Sequence, residues 1–186
     1  SMCALSLAAC GGSKSAETTA AASSESKEET KAGESVSEAV AATGKDAKDI
    51  KVGISIYKFD DNFMTLYRNE LVRYLTEDCG IPKDNIVVQD GKNDQAEQTN
   101  QINNFIATKV DVMILNLVQS SSAPTVTDLA KEAGIPVVYI NREPDETEES
   151  RWASDGIKAT YVGADARQSG TFQGEEIAEL DNKGDI

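Results

Sequence analysis

Ile50-Lys51-Val52-Gly53-Ile54-Ser55-Ile56-Tyr57, followed at once by Lys58-Phe59-Asp60-Asp61-Asn62-Phe63, is the stretch that decides the fold. The first eight residues are short, β-branched and apolar, which reads as a strand. From Asn62 the spacing changes. Phe63, Leu66, Tyr67, Leu71, Tyr74 and Leu75 recur at helical intervals, so a helix is predicted from Asn62 to Asp78. Asp61 or Asn62 supplies its N-cap, and Gly80-Ile81-Pro82 ends it.

Downstream the same cycle repeats. Strands are predicted over 85–89, 110–117, 136–140 and 159–162, and helices over 94–109, 123–133 and 165–180. The acidic run Glu143-Pro144-Asp145-Glu146-Thr147-Glu148-Glu149 reads as a solvated loop. Alternation of apolar strands with helices predicts an α/β fold. Its form is a doubly wound parallel sheet of the flavodoxin-like kind, with helices on both faces. No glycine-rich phosphate loop follows any strand, so nucleotide binding has no support. The ligand site of such a sheet lies beyond the carboxyl ends of its strands.

Upstream the composition differs. Leu7-Ala8-Ala9-Cys10 followed by Gly11-Gly12 resembles a bacterial lipobox, which makes residues 1–10 the end of a lipoprotein export signal and Cys10 the lipidated residue. Residues 11–49 are Ser, Ala, Thr, Glu and Lys with almost no large apolar side chain. They are expected to form a disordered linker. The folded domain is therefore expected over 50–186, at an extracytoplasmic, membrane-anchored location.

The formal net charge of −14 argues against nucleic acid, whose phosphates need clustered Lys and Arg. Histidine is absent, which removes Ser-His-Asp and Cys-His catalysis and histidine-ligated metals. Cys79 has no metal-ligand spacing around it and reads as a small apolar residue. No catalytic residue and no enzyme activity are expected.

The strand ends carry a consistent chemistry. Asp61 follows the first strand, Gln119 and Ser120 the third, Asn141 and Arg142 the fourth, and Asp165 the fifth. A carboxylate acceptor, a guanidinium fork and a bifunctional amide together satisfy adjacent hydroxyls. Phe63 can cover an apolar C–H face. Against this, Asp61 serves equally as a helix cap and Phe63 as a core residue of its helix. Spacing alone establishes a polar ligand.

Several blocks resemble one family. Val52-Gly53-Ile54-Ser55-Ile56-Tyr57-Lys58-Phe59-Asp60-Asp61-Asn62-Phe63-Met64 is similar to the first strand-turn-helix of periplasmic galactose/glucose-binding proteins. These are sugar-binding lipoproteins of ABC transporters within the type I periplasmic binding protein family. Asn93 to Ile102, Leu115 to Val118, Pro136 to Pro144, Tyr161 to Asp165 and Ser169 to Gly174 continue the likeness in order. The resemblance implies two domains around a hinged cleft, of which this chain carries the N-terminal one. It implies that Asp61 accepts hydrogen bonds from sugar hydroxyls, that Phe63 stacks on the ring, and that Asn141 contacts hydroxyls. Arg142 stands where the family commonly has lysine. The resemblance further implies calcium in the full-length protein, held by a loop that Asp185 would open. One carboxylate cannot hold Ca²⁺, which takes six or more oxygens.

The expected function is capture of a monosaccharide, galactose or glucose, for an ABC transporter permease. One alternative is a lipoprotein sensor presenting sugar to a membrane kinase or chemoreceptor. Another is the effector domain of a sugar-responsive repressor, which would bring a basic helix-turn-helix in place of the lipobox and spacer.

Overall fold

The computed structural model describes residues 44–179. Cys10, Asp185 and most of the 11–49 linker lie outside the described residues. Five strands form one parallel sheet: β1 (Val52–Ile56), β2 (Ile86–Asp90), β3 (Val112–Leu115), β4 (Val137–Ile140) and β5 (Ala159–Val162). Their order across the sheet is β2-β1-β3-β4-β5, the doubly wound flavodoxin-like arrangement. Val52 sits opposite Ile86 on one side and Val112 on the other, so β1 is an interior strand. The helices are α1 (Asn62–Arg73), α2 (Gln95–Ala107), α3 (Ala123–Ala133), α4 (Glu146–Ser154) and α5 (Ala166–Glu179). Tyr74–Asp78 continues α1 as one wider, π-type turn.

Period-two alternation divides the sheet between two cores. Val52, Ile54, Ile56, Ile114 and Ile140 join Met64, Tyr67 and Leu71 of α1 on one face. Met113, Leu115, Val137 and Tyr139 pack with Ile102 and Phe105 of α2, Val126 and Ala130 of α3, and Trp152 of α4 on the other. Gly53 permits the second packing. A Cβ there would stand 2.7 Å from the Phe105 ring, so only a glycine lets α2 lie this close to β1.

The acidic run after β4 is a correction to the sequence reading. It is not a solvated loop beyond Asp145: Glu146–Ser154 forms α4, capped by the Asp145 side chain accepting from Thr147 N–H. Glu148 is buried. It accepts from Trp152 Nε1 at 2.8 Å and Arg151 Nε at 3.0 Å, and those donors replace the water it loses. Trp152 in turn stacks on Tyr139, with ring centroids 5.6 Å apart.

The folded unit also begins before Ile50. Ala47–Asp49 forms a 3-10 turn, Ala47 packs against the α1-side core, and Lys45 pairs with Asp111. Asn85 Nδ2 donates to the Lys48 carbonyl at 2.8 Å. The last helix forms as expected, yet every described side chain from Arg167 to Glu179 is exposed, Phe172 and Ile177 among them. Thus α5 leaves the sheet rather than covering it. No helix among the described residues is long and apolar enough to cross a membrane.

Candidate functional site

The carboxyl ends of β1, β2, β3 and β4 are tied together from below by buried amides. Ser55, Gln98 and Asn116 are fully inaccessible, and Gln101 nearly so. Gln98 donates to Ser55 Oγ at 3.1 Å and to the Asn116 carbonyl at 2.9 Å, and accepts from Val118 N–H at 2.7 Å. Asn116 accepts from Tyr57 N–H at 3.2 Å and donates to the Ile140 carbonyl at 3.0 Å. Gln101 accepts from Ser55 Oγ and donates to the Asp90 carbonyl. Each of the four chain segments is therefore pinned where its strand ends. A network of this kind rigidifies when every member is satisfied.

Sequence reasoning singled out none of these amides, although a signal existed. Gln98 and Gln101 fall on the same helical face as Ile102 and Phe105, so they are polar residues in core positions. Asn116 interrupts an otherwise apolar strand end for the same reason.

Asp61 stands on this platform as the N-cap of α1. Its Oδ1 accepts from Met64 N–H at 2.8 Å and its Oδ2 from the Tyr57 hydroxyl at 2.7 Å. The Met64 N–H, the Tyr57 hydroxyl and the nearby charge of Lys58 hold its carboxyl below the usual carboxylate range, against partial desolvation. The capping role is thus real. A carboxylate offers about four acceptor positions, so acceptor capacity remains for a ligand.

Phe63 is not a core residue. It is 59% exposed, and the Tyr67 ring stands tilted beside it at 6.0 Å between centroids. An aromatic face left open two residues from a fixed carboxylate suits a ligand with both an apolar face and hydroxyl donors. Arg142 reaches across the end of β3. Its Nη1 donates to the carbonyls of Leu117 at 3.1 Å and Val118 at 2.6 Å, and its guanidinium lies 3.9 Å over the Tyr57 ring. Its other nitrogens make no hydrogen bond among the described residues.

Asn141 takes a left-handed backbone, φ 63°, which asparagine tolerates better than most residues. Its N–H donates to the Val162 carbonyl, and its own carbonyl accepts from the Tyr161 hydroxyl. That leaves its exposed side-chain amide without a partner among the described residues. The structure therefore links Asp61 and Arg142 through Tyr57, with Phe63 and Asn141 open to solvent beside them in sequence.

A separate concavity of about 1000 Å³ lies between the loops after β3 and β4 and the start of α5, with Glu143, Asp145, Glu146 and Glu149 in its wall. Desolvation and the charges of Glu143 and Glu146 push Glu149 up. Like charges with one facing arginine do not suit a neutral ligand, and none of the four predicted sugar contacts lines it. Among the described residues no group of three or more acidic or thiol side chains could hold a metal ion.

The chain has relatives among known binding proteins. The chain is 36% identical over 132 residues to the D-galactose/methyl-galactoside binding periplasmic protein MglB of Haemophilus influenzae, covering 71% of this chain and 38% of that one. It is 39% identical over 134 residues to a putative rhizopine-binding protein of Rhizobium meliloti, covering 72% and 41%. An ABC transporter solute binding protein from Bacillus halodurans, solved with bound myo-inositol, superposes with a TM-score of 0.58 at 30% identity, covering 73% of this chain and 43% of that chain. This chain thus spans about two fifths of the length of the curated relatives it matches. These relatives are named as binding proteins. Residues 52–186 match the family described as periplasmic binding protein domain, and the chain belongs to that family.

Proposed function

We propose that the intact protein captures a monosaccharide of the galactose or glucose type outside the cytoplasm and delivers it to the permease of an ABC transporter. The observation that carries this reading is the exposed Phe63 ring beside the doubly held Asp61 carboxylate, at the carboxyl end of a parallel sheet. The ring covers the apolar face of a sugar. Asp61 and the free donors of Arg142 and Asn141 meet its hydroxyls. The Haemophilus relative, named for galactose, supports the choice of sugar. Lipid attachment at Cys10, which rests on the lipobox-like Leu7-Ala8-Ala9-Cys10, and a calcium loop opened by Asp185, which rests on the family resemblance, belong to the same proposal.

One observation favours a second ligand. The relative at 39% identity is named for rhizopine, and the solved one holds myo-inositol, a ring polyol without an anomeric carbon. Calorimetric titration of the intact protein with galactose, glucose and myo-inositol decides between them. Micromolar or tighter binding of either hexose is expected. Tight binding of myo-inositol alone would move the assignment to cyclitols, and heat from none of the three would overturn it.

A further inference from the structure

Tyr57 joins the two charged groups of the site, and its surroundings show why its hydroxyl matters. The residue is anchored on both sides: its N–H donates to Asn116 Oδ1 at 3.2 Å and its carbonyl accepts from Asn93 N–H at 2.7 Å. The residue is 8% exposed, with the Arg142 guanidinium 3.9 Å above its ring and Lys58 Nζ at 5.8 Å. A phenylalanine would fill the same space. The hydroxyl makes one hydrogen bond among the described residues, to Asp61 Oδ2 at 2.7 Å.

That bond does something the helix cap cannot. Met64 N–H holds one oxygen of Asp61 and leaves the carboxylate free to rock about its Cβ–Cγ bond, a broad torsion. A second donor on the other oxygen fixes the carboxylate plane and hence the direction of its remaining lone pairs. We infer that Tyr57 is a positioning residue for ligand binding, which acts by fixing the plane of the Asp61 carboxylate so that its free lone pairs are aimed before the sugar arrives. The inference rests on the reading of Asp61 as the ligand acceptor. Pre-aimed acceptors raise affinity by lowering the ordering cost of binding.

The hydroxyl also helps to hold Asp61 below the usual carboxylate range. The charged groups around that carboxylate are Lys58, itself paired with Asp60 at 3.3 Å, and Arg142 across the Tyr57 ring. Removing the hydroxyl leaves those charges in place and takes away one donor. The acid limb of binding should then move to higher pH.

The test is a double-mutant cycle in the intact protein, with whichever of galactose, glucose and myo-inositol binds most tightly as the probe. Tyr57→Phe, Asp61→Ala and the double variant are titrated beside the parent, with folding checked by circular dichroism. Tyr57→Phe should weaken binding by about tenfold and shift the acid limb upward, and should change nothing further when Asp61 is already Ala. If Asp61→Ala weakens binding while Tyr57→Phe matches the parent in affinity and pH profile, the positioning role is overturned and the site reading stands. Additive losses would also overturn it, because Tyr57 would then act independently of Asp61. If Asp61→Ala binds like the parent, the site reading fails and the inference falls with it.

Discussion

The guanidinium of Arg142 lies 3.9 Å over the ring of Tyr57 while one of its nitrogens donates to the carbonyls of Leu117 and Val118. One side chain from the end of β4 thereby contacts the ends of both β3 and β1. Arg142→Lys keeps the charge but loses the planar stack and the fork. It is expected to lower stability by about 0.5–1 kcal/mol in urea denaturation, with the slope of the transition unchanged. Arg142→Ala should cost more, because it also removes the packed stem.

Within the buried amide network, Gln98 joins Ser55 of β1 to the Asn116–Val118 segment after β3. Gln98→Leu fills similar volume but leaves Val118 N–H and the Asn116 carbonyl without partners in a dry site. The expected loss is about 2–3 kcal/mol, read as a lower urea midpoint. A loss under about 0.5 kcal/mol would mean that water enters and replaces the amide.

Glu148 gives the fold a pH dependence of defined sign. Burial alone would raise its pKa, but Arg151, Thr127 and Trp152 outweigh it, and the net shift is downward. A carboxyl with a lowered folded pKa contributes stability above its unfolded value, about 4.3, and loses it as pH falls through the folded value. Glu148→Gln keeps an acceptor for Trp152 and loses the charge facing Arg151. Its stability deficit at pH 7 should shrink as both proteins are taken below pH 4. A deficit independent of pH would assign the effect to packing.

The sheet was legible because its strands are uniform. Val52 to Tyr57 and Val112 to Leu117 leave little choice but buried parallel strands, and Gly134-Ile135-Pro136 marks a helix end without tertiary context. The α4 helix was not legible. Its acidic first turn, Glu146, Glu148 and Glu149, looks solvated until Trp152 and Arg151 are placed against Glu148 by the chain's return to β5. At the site, Asp61 and Phe63 could be named from their position after β1. The Tyr57 hydroxyl bond could not, because it depends on the turn geometry that brings Asp61 back over the ring. The exposure of α5 was equally hidden: its sequence carries Phe172 and Ile177 and says nothing about which surface they meet.

The central claim is that Asp61 and Phe63 form one wall of a sugar site. A crystal structure of the intact protein with its tightest-binding hexose measures this directly. The account predicts the sugar lying across the Phe63 ring, with its hydroxyls within about 3 Å of the Asp61 carboxylate and the Tyr57–Asp61 bond unbroken. A sugar held elsewhere, with Asp61 doing no more than capping α1 and Phe63 still facing solvent, would contradict it.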